Sequence, residues 1–183
     1  MVAWLLLGLV VVVVLVAVGL YNSLVRLRVR VDQAWSDIET QLKRRHDLVP
    51  NLVETVKGYA GHERGTLEKV TEMRSRAMSA SGPAQAAQAE GLLSQALRGL
   101  YAVAEGYPDL KANQSFLSLQ QSLSQTEDAI AGSRGSYNAA VRDLNTRIET
   151  VPSNVIAGMF GFQPREFFEL QDAADRAVPQ VRF

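Results

Sequence analysis

The chain has 183 residues, of which 47% are hydrophobic, and its 19 basic and 19 acidic side chains give a formal net charge of zero. This balance argues against a strongly basic surface, so we expect no nucleic-acid partner. The chain contains no cysteine, which excludes disulfides and thiolate metal sites. After an apolar first segment about 160 residues remain, enough for one domain with a core.

Residues 1–21 are predicted to form a transmembrane anchor. From Val2 to Leu20 no side chain is charged or strongly polar. Nineteen helical residues span ~28 Å, close to the ~30 Å hydrocarbon core of a bilayer. A cleaved signal peptide is the alternative, because Ala17 and Gly19 supply small residues at a cleavage-like spacing. No basic residue precedes the run, however, and the run is long for such a peptide.

The charges that flank the anchor predict its orientation. Arg26, Arg28 and Arg30 follow the apolar run closely, whereas only the amino terminus precedes it. The positive-inside bias therefore predicts a short outside terminus and a cytoplasmic domain. The same three arginines lie close enough to the membrane to contact anionic lipid head groups.

The rest of the chain is predicted to be all-α, because no segment alternates apolar and polar residues over strand length. Apolar residues at steps of three and four predict helices at about 22–59, 63–79, 84–105 and 112–150. The first continues out of the membrane, with a kink at Pro50. Short connections favour an antiparallel up-and-down four-helix bundle over residues 22–150.

The long helices carry polar residues where their apolar stripes predict a core. Arg45 takes the heptad position between Ile38 and Leu52. In the last helix, apolar residues recur every seven positions, at Phe116, Leu123, Ile130, Tyr137, Leu144 and Val151. The positions four residues after them include Glu127 and Arg134, which are charged. Since a buried charge needs a partner, we predict an Arg45–Glu127 contact. Further candidate members are Arg134, Asp47, Glu54 and Glu72.

This predicted polar layer has two interpretations. It can fix the register of the helices, as buried polar groups do in some helical assemblies. Alternatively, it can form a pocket for a small anion or a peptide, which would make the protein a sensor or ligand-binding module.

Residues 151–170 form a phenylalanine-rich tail, and residues 171–183 are predicted to be frayed. The candidate contact residues of the phenylalanine-rich tail are Phe160, Phe162, Phe167 and Phe168. The tail can pack on its own bundle, meet another subunit, or meet the membrane surface.

No motif for catalysis, cofactor binding or metal binding is found in the sequence. His46 and His62 are the only histidines and belong to no zinc motif. The Gly132–Ser136 stretch lacks the spacing of a nucleophile elbow. We therefore expect no catalytic residue, no cofactor and no metal, and predict that the protein is not an enzyme.

Three stretches resemble the LemA family of bacterial membrane proteins. They are YNSLVRLRVRVDQAWSDIETQLKRRHDLVPNLVETVKGYAGHE (21–63), YPDLKANQSFLSLQQSLSQTEDAI (107–130) and YNAAVRDLNTRIETVPSNVIAGMFGFQPREFF (137–168). RRHDLVPNLVETVKGY within the first stretch is distinctive. Gly132 and Gly135 depart from the family, which usually has better helix formers there.

The resemblance implies an anchor in the bacterial inner membrane, with a short terminus outside and a cytoplasmic antiparallel four-helix bundle. It implies no activity, while a relative in the magnetosome membrane suggests membrane organisation. We therefore predict a scaffold or adaptor that contacts the bilayer and self-associates or binds another membrane protein.

Overall fold

The computed structural model describes residues 1–169, and within that range the chain forms helices and no strand. The predicted fraying of residues 171–183, and the last residue of the predicted tail, lie outside the described range. The helices are α1 (Val2–Lys57), α2 (Arg64–Ser79), α3 (Gly82–Glu105), α4 (Pro108–Lys111), α5 (Gln114–Glu149) and α6 (Ser153–Met159).

The chain divides into two compact units. Unit 1 contains residues 1–38 and 133–167, and unit 2 contains residues 39–132 together with Phe168 and Glu169. Both α1 and α5 contribute to each unit, so each long helix meets two different environments along its length.

Helix α1 is continuous from the apolar run into unit 2. Pro50 lies inside α1 and does not end it. The first part of α1 is long and apolar enough to cross a membrane, with a mean hydropathy of 3.0, and none of that window is buried. Beyond it, Leu24 and Ile38 are fully buried, as the heptad spacing predicts.

Unit 2 has an apolar core built mainly by four helices, to which α4 adds Leu110. Helices α2 and α3 pack on each other, and the small residues of α3 allow a close approach. The Asn113 side chain accepts a hydrogen bond from the Phe116 amide at 3.0 Å and so caps the start of α5. Core residues come from α1 (Val49, Leu52, Val56), α2 (Leu67, Val70, Met73, Ala77), α3 (Leu93, Ala96, Leu97, Leu100, Ala104) and α5 (Phe116, Leu123).

Unit 1 is held together by aromatic rings and by the segment after α6. The Trp35 and Tyr137 rings lie 5.5 Å apart, joining α1 to α5. Residues 160–166, which we call the strap, follow α6. Arg165 of the strap pairs with Asp32 of α1 at 3.0 Å and bonds to Asn145 of α5.

The predicted phase of the last helix needs a correction. Phe116, Leu123, Ile130, Tyr137 and Leu144 are buried, as the seven-residue repeat predicts, but Val151 is 74% exposed. Early in α5 the second buried position comes three residues after the first, at Thr126, and only later four residues after, at Val141. In a straight α-helix, residues seven apart shift by ~20° around the axis. The second buried position therefore moves from three to four residues after the first along α5.

Two short helices were not predicted. Pro108 opens the single turn α4, where the sequence indicates only a break, because proline suits the first turn of a helix. Helix α6 occupies part of the phenylalanine-rich tail, in which the sequence analysis assigns no helix. Gly132 and Gly135 lie within α5 and do not interrupt it.

Candidate functional site

Arg45 lies at the centre of a polar cluster inside unit 2. Its side chain is 2% exposed, although it is one of the longest in the chain. The Nη1 atom donates to Glu90 Oε2 at 3.0 Å, while Nη2 donates to Ser94 Oγ and pairs with Glu127 Oε1, both at 2.7 Å. The predicted Arg45–Glu127 contact is therefore present in the structure.

Glu90 of α3 is the buried carboxylate of the cluster. Its side chain is 3% exposed and receives Arg45 on one oxygen and His46 on the other, at 2.5 Å from His46 Nε2. Two neighbouring residues of α1 thus share one carboxylate. Because a buried carboxylate is costly unless paired, Glu90 depends on both partners.

The backbone beside this pair is also fixed. Arg74 of α2 donates from Nε to the His46 carbonyl oxygen at 2.7 Å. Three helices, α1, α2 and α3, therefore meet at the cluster through hydrogen bonds in addition to apolar contacts. This is the arrangement expected of a group that fixes the register of neighbouring helices.

One side of the cluster reaches solvent. The Glu127 side chain is 46% exposed, in contrast to Arg45 and Glu90. Tyr101 lies close by: burial raises the pKa of its phenol, Glu127 raises it further, and Arg45 acts in the opposite direction. The cluster is therefore sealed at Glu90 and open at Glu127.

The other predicted members do not join this cluster. Asp47, Glu54 and Glu72 are exposed, and the last two pair with neighbours on their own helices, Lys57 and Arg76. Arg134 is half-buried in unit 1 and forms no ion pair with a described residue. Arg134 was assigned from a fixed helix phase, which the drift along α5 changes. Asp47, Glu54 and Glu72 lie on the exposed sides of α1 and α2.

Sequence reasoning missed Glu90, Ser94 and His46, and only the first had a clear signal. Glu90 stands on an otherwise apolar stripe of α3 whose steps of three and four are Ala86, Glu90, Leu93, Leu97 and Leu100. A charge on such a stripe indicates a buried partner. His46 and Ser94 lie beside the stripes and carry no comparable signal.

The predicted phenylalanines divide into buried and exposed residues. Phe162 and Phe168 are buried and Phe167 is half-buried, whereas Phe160 is 59% exposed. In unit 1 the Phe162 ring lies 5.9 Å from Tyr21 and 5.3 Å from the Arg28 guanidinium carbon. Arg26, Arg28 and Arg30 are all exposed on α1.

Side chains of α5 hold the backbone of the strap, in addition to the side-chain contacts that Phe162 and Arg165 make with α1. Tyr137 donates from its hydroxyl to the Glu166 carbonyl oxygen at 2.8 Å. Asn145 donates to the Arg165 carbonyl at 2.9 Å and accepts from the Arg165 amide at 2.8 Å. Burial raises the pKa of Tyr137 to about 12, which keeps its hydroxyl protonated as a donor over the physiological range.

No group of three or more potential metal-ligating side chains occurs within residues 1–169. His62 is exposed, and His46 is engaged by Glu90. The chemistry that the cluster offers is therefore charge pairing and hydrogen bonding around Arg45.

Comparison with known proteins gives consistent matches over most of the chain. Two proteins of Paramagnetospirillum magneticum, Magnetosome protein MamQ 2 and Magnetosome protein MamQ 1, are each 28% identical to it, over 88% of this chain and 70% of theirs. Protein LemA of Metamycoplasma hominis is 30% identical over 78% of this chain and 65% of its own length. The sequence model of the LemA family matches residues 34–183, so the chain belongs to the LemA family.

Proposed function

We propose that the protein is a single-pass membrane-anchored scaffold or adaptor of the LemA type, which binds other proteins and catalyses no reaction. The observation that carries this proposal is α1 itself. Its first part is wholly apolar and unburied, and the same unbroken helix supplies Arg45 and the apolar core positions of unit 2. An apolar surface of this length needs lipid around it. One helix therefore joins a bilayer segment to a packed unit.

The apolar run is proposed to stay attached as an anchor. The uncharged run from Val2 to Leu20 is longer than the apolar core of a usual signal peptide, which supports retention over processing. The exposed Arg26, Arg28 and Arg30 then lie at the cytoplasmic face and contact lipid head groups. This places the protein in the inner membrane of a bacterium, with a short terminus outside.

We propose that α1, α2, α3 and α5 form the antiparallel four-helix bundle. The supporting observation is that the core of unit 2 draws buried residues from all four helices. The connections between successive helices are short, which favours antiparallel neighbours. The paired charges around Arg45 then fix the register of the bundle.

The partners are proposed to be the bilayer and either further copies of the chain or another membrane protein. Two relatives are named as magnetosome proteins, and from that name we take only the idea of a role within a larger assembly. A bundle attached to the membrane presents its surfaces to such an assembly.

A second candidate function is a sensor or ligand-binding module that uses the polar cluster. The observation that favours it is the partial exposure of Glu127, which brings solvent close to the buried Arg45. An anion or acidic peptide that displaced Glu127 would form an ion pair with the Arg45 guanidinium in its place. The full pairing of Glu90 favours the scaffold instead.

Orientation can be tested with single cysteines, because the chain has none. We would introduce Ala3→Cys or Ser81→Cys into the full chain and label cells with a membrane-impermeant maleimide before and after lysis. The proposal expects Ala3→Cys to react in cells with a permeable outer membrane and Ser81→Cys only after lysis. The reverse pattern, or a mature chain lacking residue 3, would refute it.

The scaffold and sensor functions can be separated by crosslinking in native membranes. We would compare the wild type with Glu127→Gln and with Glu72→Gln, a matched control in an exposed ion pair. A scaffold keeps the same crosslinked partners and self-contacts in all three. Extra or altered partners in Glu127→Gln alone would favour the sensor, because a weaker pairing with Arg45 makes displacement by an anion easier. The absence of any partner in all three would contradict the scaffold.

A further inference from the structure

We propose that α6 is an interfacial helix whose exposed apolar face inserts into the boundary between lipid head groups and acyl chains. The face consists of Val155 and Met159 of α6 with the flanking Val151 and Phe160. The proposal rests on the placement of α1 in the bilayer and adds a second membrane contact more than a hundred residues along the chain.

Helix α6 has two distinct sides. Ser153, Ile156 and Ala157 are buried. Val151, which precedes the helix, is 74% exposed, and on the other side of the helix Val155 and Met159, spaced four apart, are 59% and 73% exposed. Residues at this spacing share one helix face. A short helix with one side packed into its own unit therefore presents its other apolar side outward.

The register within unit 1 places the start of α6 at the end of the anchor. Trp35 of α1 contacts Tyr137 of α5. Further along, Arg165 of the strap joins Asp32 of α1 to Asn145 of α5. The two helices are therefore antiparallel in unit 1. The step from Tyr137 to Val151 equals the step from Trp35 back to Tyr21. Since both helices rise equally per residue, Val151 lies near the level of Tyr21.

The end of α6 lies at the same level. The Phe160 ring is 4.7 Å from the Tyr21 ring, and the Phe162 ring follows at 5.9 Å. Tyr21 is the residue directly after the apolar run Val2–Leu20. A helix that begins and ends at this level runs across the direction of α1, and on the proposed placement it therefore lies in the plane of the interface.

The chemistry of the segment suits a lipid boundary. No residue between Thr150 and Arg165 is charged. The aromatic pair Tyr21 and Phe160 lies at the depth where aromatic side chains are enriched in membrane proteins. Arg26 and Arg28 follow within ~11 Å along α1, at the position of anionic head groups. A lipid surface covers this face more simply than a second copy, whose docking there would have to displace head groups.

The test uses single-cysteine variants of the full chain, each labelled with an environment-sensitive fluorophore. Val155→Cys and Met159→Cys report on α6, Val12→Cys reports on the anchor, and Asp128→Cys is an exposed control in unit 2. These side chains are exposed, so the buried packing of the units is kept. The proteins are reconstituted into phosphatidylcholine–phosphatidylglycerol vesicles that carry a nitroxide either near the head group or near the chain end.

We expect the labels at 155 and 159 to be quenched several-fold more strongly by the shallow nitroxide than by the deep one. The label at 12 should show the opposite order, and the label at 128 should respond to neither. Quenching at 12 without quenching at 155 and 159 would overturn the interfacial helix and leave the anchor standing.

Absence of quenching at 12 would refute the proposed anchor, and the interfacial helix would be refuted with it. Labels at 155 and 159 that escape both nitroxides but quench each other, with relief on dilution by unlabelled protein, would show that a second copy covers the face. That result also overturns the proposal.

Discussion

The two units use the same pair of long helices but fill the space beside them differently. In unit 2 the polar cluster buries Arg45 and Glu90, each at most 3% exposed, beside an apolar core. In unit 1 aliphatic residues such as Leu24 and Leu144 are buried together with the Tyr137 ring. The half-buried rings of Tyr21 and Trp35 contact Phe162 and Tyr137, and the strap is fixed by ring contacts and by hydrogen bonds to its backbone. Unit 2 therefore depends on charge balance, whereas unit 1 depends on ring packing and on individual hydrogen bonds.

This difference predicts the largest effect for a charge removed from unit 2. Glu90→Gln leaves Arg45 and His46 buried without their shared carboxylate, so we expect a loss of about 3–5 kcal/mol in the free energy of unfolding. The loss is measured by urea titration of the full chain in detergent micelles, with hydrogen exchange of α3 peptides to locate it.

Glu72→Gln is the matched control, because it removes a carboxylate from an exposed pair with Arg76. An exposed pair of this kind contributes at most about 1 kcal/mol. Similar losses in the two variants would show that the Glu90 pairing adds nothing beyond a surface ion pair, and the contrast between the units would disappear.

The next effect belongs to the ring packing of unit 1. Phe162→Ala removes a buried ring that contacts Tyr21, and Arg28 lies over its face. We expect a loss of about 2–4 kcal/mol, from lost burial and the cavity left behind. Phe160→Ala, at a 59% exposed position, should cost less than about 1 kcal/mol in micelles. Faster hydrogen exchange in peptides of the strap, without a change in peptides of α3, would place the loss in unit 1. Equal losses of stability in the two variants would contradict the assignment of Phe162 as the buried ring.

The helices and the centre of the polar cluster could be predicted because both follow from helical periodicity. Arg45 interrupts a regular apolar stripe, and a single stripe is enough to place it inside. The contact with Glu127 was predicted, but the buried partner Glu90 was not, because buried charges were predicted only from the stripes of the two long helices. Glu90 could have been found from its own stripe on α3.

The contacts of the strap could not have been predicted in this way. Tyr137 and Asn145 bond to carbonyl and amide groups of Glu166 and Arg165, and an irregular backbone has no repeat that reveals which of its groups face a helix. Periodicity identifies Tyr137 as buried, but its hydrogen-bond partner depends on how the chain turns after α6.

A smaller effect is predicted at the strap itself. Asn145→Ala removes a donor and an acceptor that hold Arg165, and we expect a loss of about 1–2 kcal/mol. Asn51→Ala is the control, because Asn51 is exposed and its side chain bonds to no described residue. Hydrogen exchange at the Arg165 amide should rise in the first variant only. An unchanged rate there would show that the strap is held by its other contacts.

The smallest effect at neutral pH is predicted for Tyr137→Phe, which loses the bond to Glu166 and should cost about 1 kcal/mol. Its distinctive signature appears in alkali. Burial raises the pKa of Tyr137 from 10.0 to about 12, so above pH 10 the unfolded chain releases a proton that the folded chain keeps. Stability from this group is therefore complete below pH 10 and is lost as the pH rises toward 12.

The phenylalanine variant lacks this titration, so the stability of its unit 1 should fall less steeply in the same range. The measurement is urea unfolding followed by Trp35 fluorescence in a Trp4→Phe background, since the Trp35 ring lies 5.5 Å from that of Tyr137. Tyr101→Phe is the control, because burial also raises the pKa of Tyr101 but its ring belongs to unit 2. If Tyr101→Phe reduced the pH dependence of stability, followed at Trp35, as much as Tyr137→Phe does, the alkaline loss of stability would not belong to unit 1. A response to Tyr137 alone would show that a buried hydroxyl bonded to the backbone makes unit 1 sensitive to alkali.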